Sequence, residues 1–337
     1  MKTSFGGRLA VAVAVAVPLS GGVAYAQNVA QDRPPIIDIH HHAMVQVPPN
    51  VPPMCPNAER FLASDPADGT EAGNGWSSAA CSPALYSAAG SDYLDQVKAE
   101  MERLNVVAVA FGDPDAVNAY ASAMPDRIIK GTSFSMGPDT DKKKELQRLE
   151  VLFTDGGFAV MGEIGLQYAG MSPSDMAVDD YFALAERLDI PVAIHMGTGG
   201  SGRANVTMPN FRASMGDPFL LEEMLARHPK LRVQVMHAGY PMIDNMLALL
   251  QANSHVYVDV AGLIWSYPIE EVNRYIERMV DAGFGDRVMY GTDQLIWPGL
   301  MAYSVSIIQN ADYLSPGQKR DILYNNAARF LRLETGE

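Results

Sequence analysis

Pro35-Ile36-Ile37-Asp38-Ile39-His40-His41-His42 decides how this chain is read. The run from Pro35 is short and apolar, which predicts a buried strand ending in three histidines. Successive side chains on a strand point to opposite faces. His40 and His42 therefore share one face and His41 takes the other, toward the layer between sheet and helices. Two imidazoles on one rigid strand can chelate a cation without a loop having to fold around it. The same design recurs further along: Val160-Met161-Gly162 leads into Glu163, Pro191 to Ile194 ends in His195, Val233 to Met236 ends in His237, and Arg287 to Thr292 ends in Asp293. Ligand-type residues at the carboxyl ends of several strands are what a metal-dependent barrel enzyme needs.

Between these runs the pattern alternates. Strands are predicted at 35–42, 106–111, 127–134, 158–164, 191–195, 231–237, 256–260 and 287–290. Helices are predicted at 91–104, 141–153, 174–188, 217–228, 241–252 and 268–282, with a closing helix from Ser315, where Ser315-Pro316-Gly317-Gln318 has capping-box spacing. Continuous apolar strands indicate a parallel sheet buried on both faces. Eight of them alternating with helices predict a (β/α)8 TIM barrel over an open doubly wound sheet. The absence of Gly-x-Gly-x-x-Gly after an early strand weakens the open-sheet, dinucleotide-binding alternative. Two connections are long: 43–90, rich in Pro, Gly, Ser and Asn, and 196–216, rich in Gly and Ser, with Arg203 and Arg212. Both follow strands, so both belong to the end of the barrel where active sites form. The first is expected to be a lid insertion and the second a substrate-binding loop.

The chain has 337 residues, 48% of them hydrophobic, enough for one large core. Residues 1–26 read as an export signal: Lys2 and Arg8, an apolar stretch from Leu9 to Leu19, and Ala24-Tyr25-Ala26 before the cleavage point. The stretch is shorter than the ~20 residues of a spanning helix. Residues 27–337 are then a single barrel domain, in the periplasm or secreted. The formal charge of −14 becomes −16 without Lys2 and Arg8, which disfavours nucleic acid and anionic lipid as partners. A small-molecule substrate is the expected partner, and a homo-oligomer is left open. The two cysteines, Cys55 and Cys81, both lie in the 43–90 loop; an oxidising compartment favours a disulfide that pins this lid over two separate buried thiols.

Taken together, the motifs resemble those of the amidohydrolase superfamily, in its amidohydrolase-related (family 2) branch. The matching residues are Asp38-Ile39-His40-His41-His42, His195 in Ala193-Ile194-His195-Met196-Gly197, His237 in His237-Ala238-Gly239-Tyr240-Pro241, and Asp293 in Tyr290-Gly291-Thr292-Asp293. Gly162-Glu163-Ile164-Gly165-Leu166 also resembles the strand-four motif of TatD-type nucleases, although the charge disfavours a nuclease. The resemblance implies two arrangements. In one, His40, His42, His195 and Asp293 hold a single ion and His237 acts on the substrate as acid or base. In the other, His40, His42 and Asp293 hold one ion, His195 and His237 a second, and Glu163 bridges them. It also implies that Asp293 is the proton-shuttling base. A donor set of imidazole and carboxylate without thiolate suits a divalent ion: zinc first, with manganese or iron as alternatives. Such an ion lowers the pKa of water from ~15.7 to near 7.

Asp38 is expected to orient a ligand, His228 and His255 to be structural, and Asp113 and Asp259 to be weaker site candidates. Arg203 or Arg212 could clamp a substrate carboxylate. Gln167, Tyr168, Tyr240, Trp265 and Trp297 follow strands and could wall an apolar pocket. The leading expectation is an exported hydrolase of an ester, lactone, amide or phosphoester. A metal-dependent decarboxylase of an aromatic or unsaturated acid is the alternative, and a non-catalytic metal-binding protein is the third reading.

Overall fold

The computed structural model describes residues 33–48, 50–56, 65, 67, 81, 84–87, 90, 92–137, 139–200, 202, 204 and 207–333. The signal segment 1–26, most of the 57–91 stretch and Arg203 lie outside the described residues. Eight parallel strands run in chain order: β1 (Ile36–His42), β2 (Val106–Phe111), β3 (Ile128–Thr132), β4 (Phe158–Ile164), β5 (Val192–His195), β6 (Val233–Met236), β7 (Val256–Asp259) and β8 (Val288–Met289). Among the described residues the α-helices between and after them include α1 (Asp92–Leu104), α2 (Pro114–Ala123), α3 (Lys142–Thr154), α4 (Asp179–Arg187), α5 (Glu222–Arg227), α6 (Ile243–Ala252), α7 (Leu263–Ser266), α8 (Ile269–Met279), α9 (Leu300–Asn310), α10 (Pro316–Arg320) and α11 (Asn326–Leu331). Past β8 the chain bonds back to β1. Ile39 N donates to Tyr290 O, Asp293 N to His40 O and His42 N to Gln294 O, at 2.7–3.1 Å. This closes the (β/α)8 barrel.

Two apolar clusters build it, and a third, small one surrounds Trp265 and Trp297. A large one lies between the strands and the helices, and a smaller one inside the barrel joins Ile37, Ile39, Val109, Phe111, Val160, Ala193, Met236 and Met289 to Ala327, Ala328 and Phe330. Ile37 and Ile39 occupy the interior, so strict alternation would turn His40 outward. The β1–β2 ladder shifts register between Asp38 and His41, and the β4–β5 ladder between Met161 and Ile164. Such irregularities re-aim side chains; here they bring His40, His42 and Glu163 to the inner mouth. His41 points the other way as expected, toward α2, with its ring 6.0 Å from that of Tyr120.

Space for this turn is made by glycine. A Cβ on Gly162 would sit 2.7 Å from Ala193 Cβ and 3.0 Å from the Phe111 ring. Gly162→Ala is therefore expected to lower unfolding free energy by about 1–3 kcal/mol through overpacking. Urea denaturation checks this, and an unchanged midpoint would contradict it.

Several boundaries differ from expectation. Helix α4 starts at Asp179, not 174, because Asp175 accepts a hydrogen bond from Ala177 N and holds a turn there. The 217–228 helix divides into a 3-10 turn, Pro218–Leu221, capped by Asp217, and then α5. Helices α2, α7 and α9 fall outside the predicted helices, although α2 carries a legible start: Asp113 accepts from Asp115 N, with Pro114 at the first position. At the closing helix, the Ser315/Gln318 capping box forms. Cys55 and Cys81 are disulfide-bonded. Beside Cys55, Met54 and Leu85 exchange two backbone hydrogen bonds of 2.8 Å, and Trp297 Nε1 donates to Pro52 O. The lid root is thus fixed to the segment between β8 and α9. No helix of the described residues is long and apolar enough to cross a membrane.

Candidate metal centre

The six strand-end residues converge at the barrel mouth. His42 Nε2 lies 3.0 Å from Asp293 Oδ1 and 3.3 Å from Glu163 Oε2. His40 Nε2 lies 3.6 Å from Asp293 Oδ1 and 3.7 Å from Glu163 Oε2. On the other side, Glu163 Oε1 is 3.7 Å from His195 Nε2. Three sets of donor atoms, each lying within 4.8 Å of one another, result: His40, His42 and Asp293; Glu163, His195 and His237; and His40, His237 and Asp259. Glu163 faces the first set with one oxygen and the second with the other.

Local backbone puts these groups in place. His237 and Asp293 both have left-handed φ, at 56° and 54°. That conformation costs free energy for a side-chain-bearing residue and persists where surrounding contacts impose it. For His237 the contacts are its N–H, donated to Asp259 Oδ1, and its Nδ1, 2.7 Å from Ala261 O. A carbonyl only accepts, so Nδ1 carries a proton, which in the neutral ring leaves the Nε2 lone pair free for an ion. Gly262 lets β7's exit pass close by: a Cβ there would meet Asp293 Oδ2 and His237 Nδ1 at 2.9 Å.

The electrostatics call for a cation. Burial alone would push His40 down, but the carboxylates of Asp259, Glu163 and Asp293 outweigh it and hold its pKa well above the ordinary value. Burial would raise Glu163 and Asp293, yet the surrounding imidazoles hold both below the usual carboxylate range. Burial and the neighbouring His237 push His195 down to about 3, so it is a neutral donor. His40 Nε2 is fully buried without a hydrogen-bond partner among the described residues. An orphaned imidazole nitrogen facing two ionised carboxylates fits a divalent ion.

The expected supporting roles divide. Asp38 accepts from His40 N, Thr292 N and Thr292 Oγ1, and lies 3.3 Å from His41 Nδ1. It ties β1 to the segment after β8. Asp259 is fully buried, 3.4 Å from His40 Nδ1, and groups with His40 and His237 as a set that could hold an ion. Asp113 caps α2. His228 bridges Asp179 and Glu186 away from the centre.

A cavity of about 420 Å³ opens beside the centre. Tyr168, Tyr240, Trp265 and Tyr267 wall it, with His42, Glu163, His195, His237 and Asp293 at its base. Trp265 is fixed by Nε1 donation to Thr292 O. The Tyr240 and Tyr267 rings meet at 4.4 Å, and burial followed by Glu271 pushes the Tyr240 phenol up to about 12, so it stays uncharged. Two expected substrate residues lie away from this lining. Trp297 is absent from the lining; it is 3% exposed and packs behind Trp265 with Met54 and Leu300. Arg212 is exposed and donates to the carbonyls of Pro209 and Phe211, bracing its own loop. A second cavity of about 530 Å³ shares His42 and Glu163 and reaches Thr132, Ser133 and Arg148. Sequence reading missed Arg148, whose only signal was its place in the charged helix α3. Glu145 holds its guanidinium through two contacts of 2.7 and 2.8 Å.

No curated protein sequence matches the chain. Solved structures share its fold. An uncharacterised TIM-barrel protein from Bordetella bronchiseptica is 18% identical, with 70% of this chain and 81% of that chain covered and a TM-score of 0.56. A probable 2-pyrone-4,6-dicarboxylic acid hydrolase from Acinetobacter baumannii is 14% identical, with coverage of 88% and 99% and a TM-score of 0.52. A 5-carboxyvanillate decarboxylase from Novosphingobium aromaticivorans, complexed with manganese, is 16% identical, with coverage of 70% and 79% and a TM-score of 0.51. The family model for amidohydrolases (Amidohydro_2) matches residues 37–333, and with that match over nearly the whole described barrel the chain belongs to the amidohydrolase superfamily of metal-dependent enzymes.

Proposed function

We propose that this protein is an exported, metal-dependent hydrolase that uses activated water on an ester, lactone, amide or phosphoester bond of a small molecule. One observation carries the reading. The Glu163 carboxylate spans two imidazole sets, Oε2 at 3.3 Å from His42 and Oε1 at 3.7 Å from His195, the disposition a bridged two-ion centre needs. His40, His42 and Asp293 would hold one ion, and His195 and His237 the other. Zinc suits the nitrogen and oxygen donors, with manganese or iron as alternatives. Bound divalent ions supply Lewis acidity, polarising the scissile group and acidifying water at neutral pH. The chain's own part is distinct. Asp293, kept ionised by its histidines, takes the water proton and returns it to the leaving group. The aromatic wall seats an apolar or aromatic group and excludes water. The leader-like residues 1–26 and the Cys55–Cys81 bridge support export to the periplasm or beyond.

The second reading, a decarboxylase of an aromatic or unsaturated acid, gains support from Arg148 in the adjoining cavity, a cation near the centre that could face a carboxylate. Metal-loaded enzyme assayed on ester, lactone, amide and phosphoester panels in ¹⁸O-water separates the two. Label in the product is expected. Carbon dioxide release from acids without label would replace the hydrolase by the lyase. Chelation should remove more than 90% of turnover, and re-addition of one divalent metal should restore it.

A further inference from the structure

Both ring nitrogens of His195 are engaged by one short segment. The 3-10 turn Leu166–Ala169, directly after β4, carries Gln167 and Tyr168. Gln167 Nε2 lies 2.7 Å from His195 Nδ1, and the Tyr168 hydroxyl lies 2.8 Å from His195 Nε2. A neutral imidazole has one N–H and one lone pair, so this three-member chain has a direction. With the Gln167 amide N–H donating to Nδ1, the proton sits on Nε2 and faces Tyr168. With the carboxamide turned by 180°, Oε1 accepts from Nδ1–H, and Nε2 offers a lone pair. Only the second direction is compatible with an ion on Nε2. Gln167 is buried, and its Oε1 has no hydrogen-bond partner among the described residues. Nothing bonded to that oxygen holds the amide in the first direction. Tyr168 is confined from both sides: a Cβ on Gly165 would come within 3.0 Å of its ring, and one on Gly199 within 3.0 Å of its hydroxyl.

We propose that Gln167 and Tyr168 form a reversible relay that governs ion binding through His195: Gln167 selects the tautomer, and the Tyr168 hydroxyl occupies the Nε2 position until an ion displaces it. Both are positioning residues acting through His195. The assignment rests on the metal reading above and adds the control of one ligand to it. It predicts effects of opposite sign from neighbouring residues. Gln167→Leu removes the acceptor for Nδ1–H and should weaken the ion held through His195 by about 10–100-fold. Gln167→Glu, an acceptor at the same reach, should restore at least the original affinity. Tyr168→Phe removes the competing hydroxyl and should tighten that ion several-fold. The ion on His40, His42 and Asp293 should keep its affinity throughout, which also reports that each variant is folded.

Co²⁺ titration of the full apo-protein, followed by visible absorbance and metal content, reads these affinities. Nitrogen-15 shifts of the His195 ring should show Nδ1–H when Co²⁺ is replaced by diamagnetic Zn²⁺. Unchanged affinities in Gln167→Leu, or weaker binding in Tyr168→Phe, overturn the relay while leaving the metal centre standing. A wild-type chain that takes up no Co²⁺ overturns the metal reading itself.

Discussion

Asp293→Asn is expected to lower kcat by about 10³-fold with little change in thermal midpoint. The general base of a hydrolytic step contributes typically 10²–10⁴-fold, and an amide cannot take up a proton near neutral pH. The substitution is close to isosteric, and Asp293's backbone N–H bond to His40 O does not involve the side chain. The fold should therefore survive. The carboxylate is also a candidate ligand, so metal content must be measured beside kcat. Loss of turnover at full metal occupancy isolates the proton transfer, whereas loss of the ion assigns the effect to ligation. Activity within tenfold of wild type would remove Asp293 from the chemistry. The same carboxylate sets a pH limit. Its pKa is held below the ordinary value, with burial opposing and His42, His40 and His237 prevailing. As pH falls through that lowered value the base becomes protonated, so activity should fade on the acid side and stay on a plateau above it.

The second large effect is on stability. Asp38→Ala is expected to lower unfolding free energy by about 4 kcal/mol. Asp38 is fully buried and accepts from Thr292 N at 2.8 Å, Thr292 Oγ1 at 2.5 Å and His40 N at 3.2 Å. Leaving a buried donor unsatisfied costs about 1–3 kcal/mol for each group. These bonds hold β1 to the segment after β8, so the damage falls on barrel closure and should reach His40 and Asp293 together. Guanidinium denaturation measures the first consequence and ion affinity the second. Asp38→Asn keeps acceptor oxygen toward Thr292 N and should lose less. A loss under about 1 kcal/mol for Asp38→Ala would show that Asp38 does not hold the closure.

What the sequence determined is what depends on local pattern. Apolar runs of four to seven residues, each ending in a donor, made β1, β4, β5 and β6 legible along with the residues at their ends. Parallel strands buried on both faces are written as continuous hydrophobic stretches, and barrel sites form at strand carboxyl ends. The paired imidazoles of His40 and His42 were readable for the same reason. Tertiary structure decided everything that depends on distant segments meeting. Strand alternation alone, counted from Ile37 and Ile39, would have turned His40 outward; the register shift beside β2 turned it inward. Glu163's place between two imidazole sets depends on a second such shift and on the space left by Gly162. Trp297 and Arg212 follow strands just as Trp265 and Tyr168 do, yet one packs behind the wall and the other braces its loop. Burial and orientation of a loop side chain are set by what lands against it, and no local spacing encodes that. Arg148 and the Gln167–His195–Tyr168 chain came to light only with the fold, because each is defined by neighbours brought in from another strand or helix.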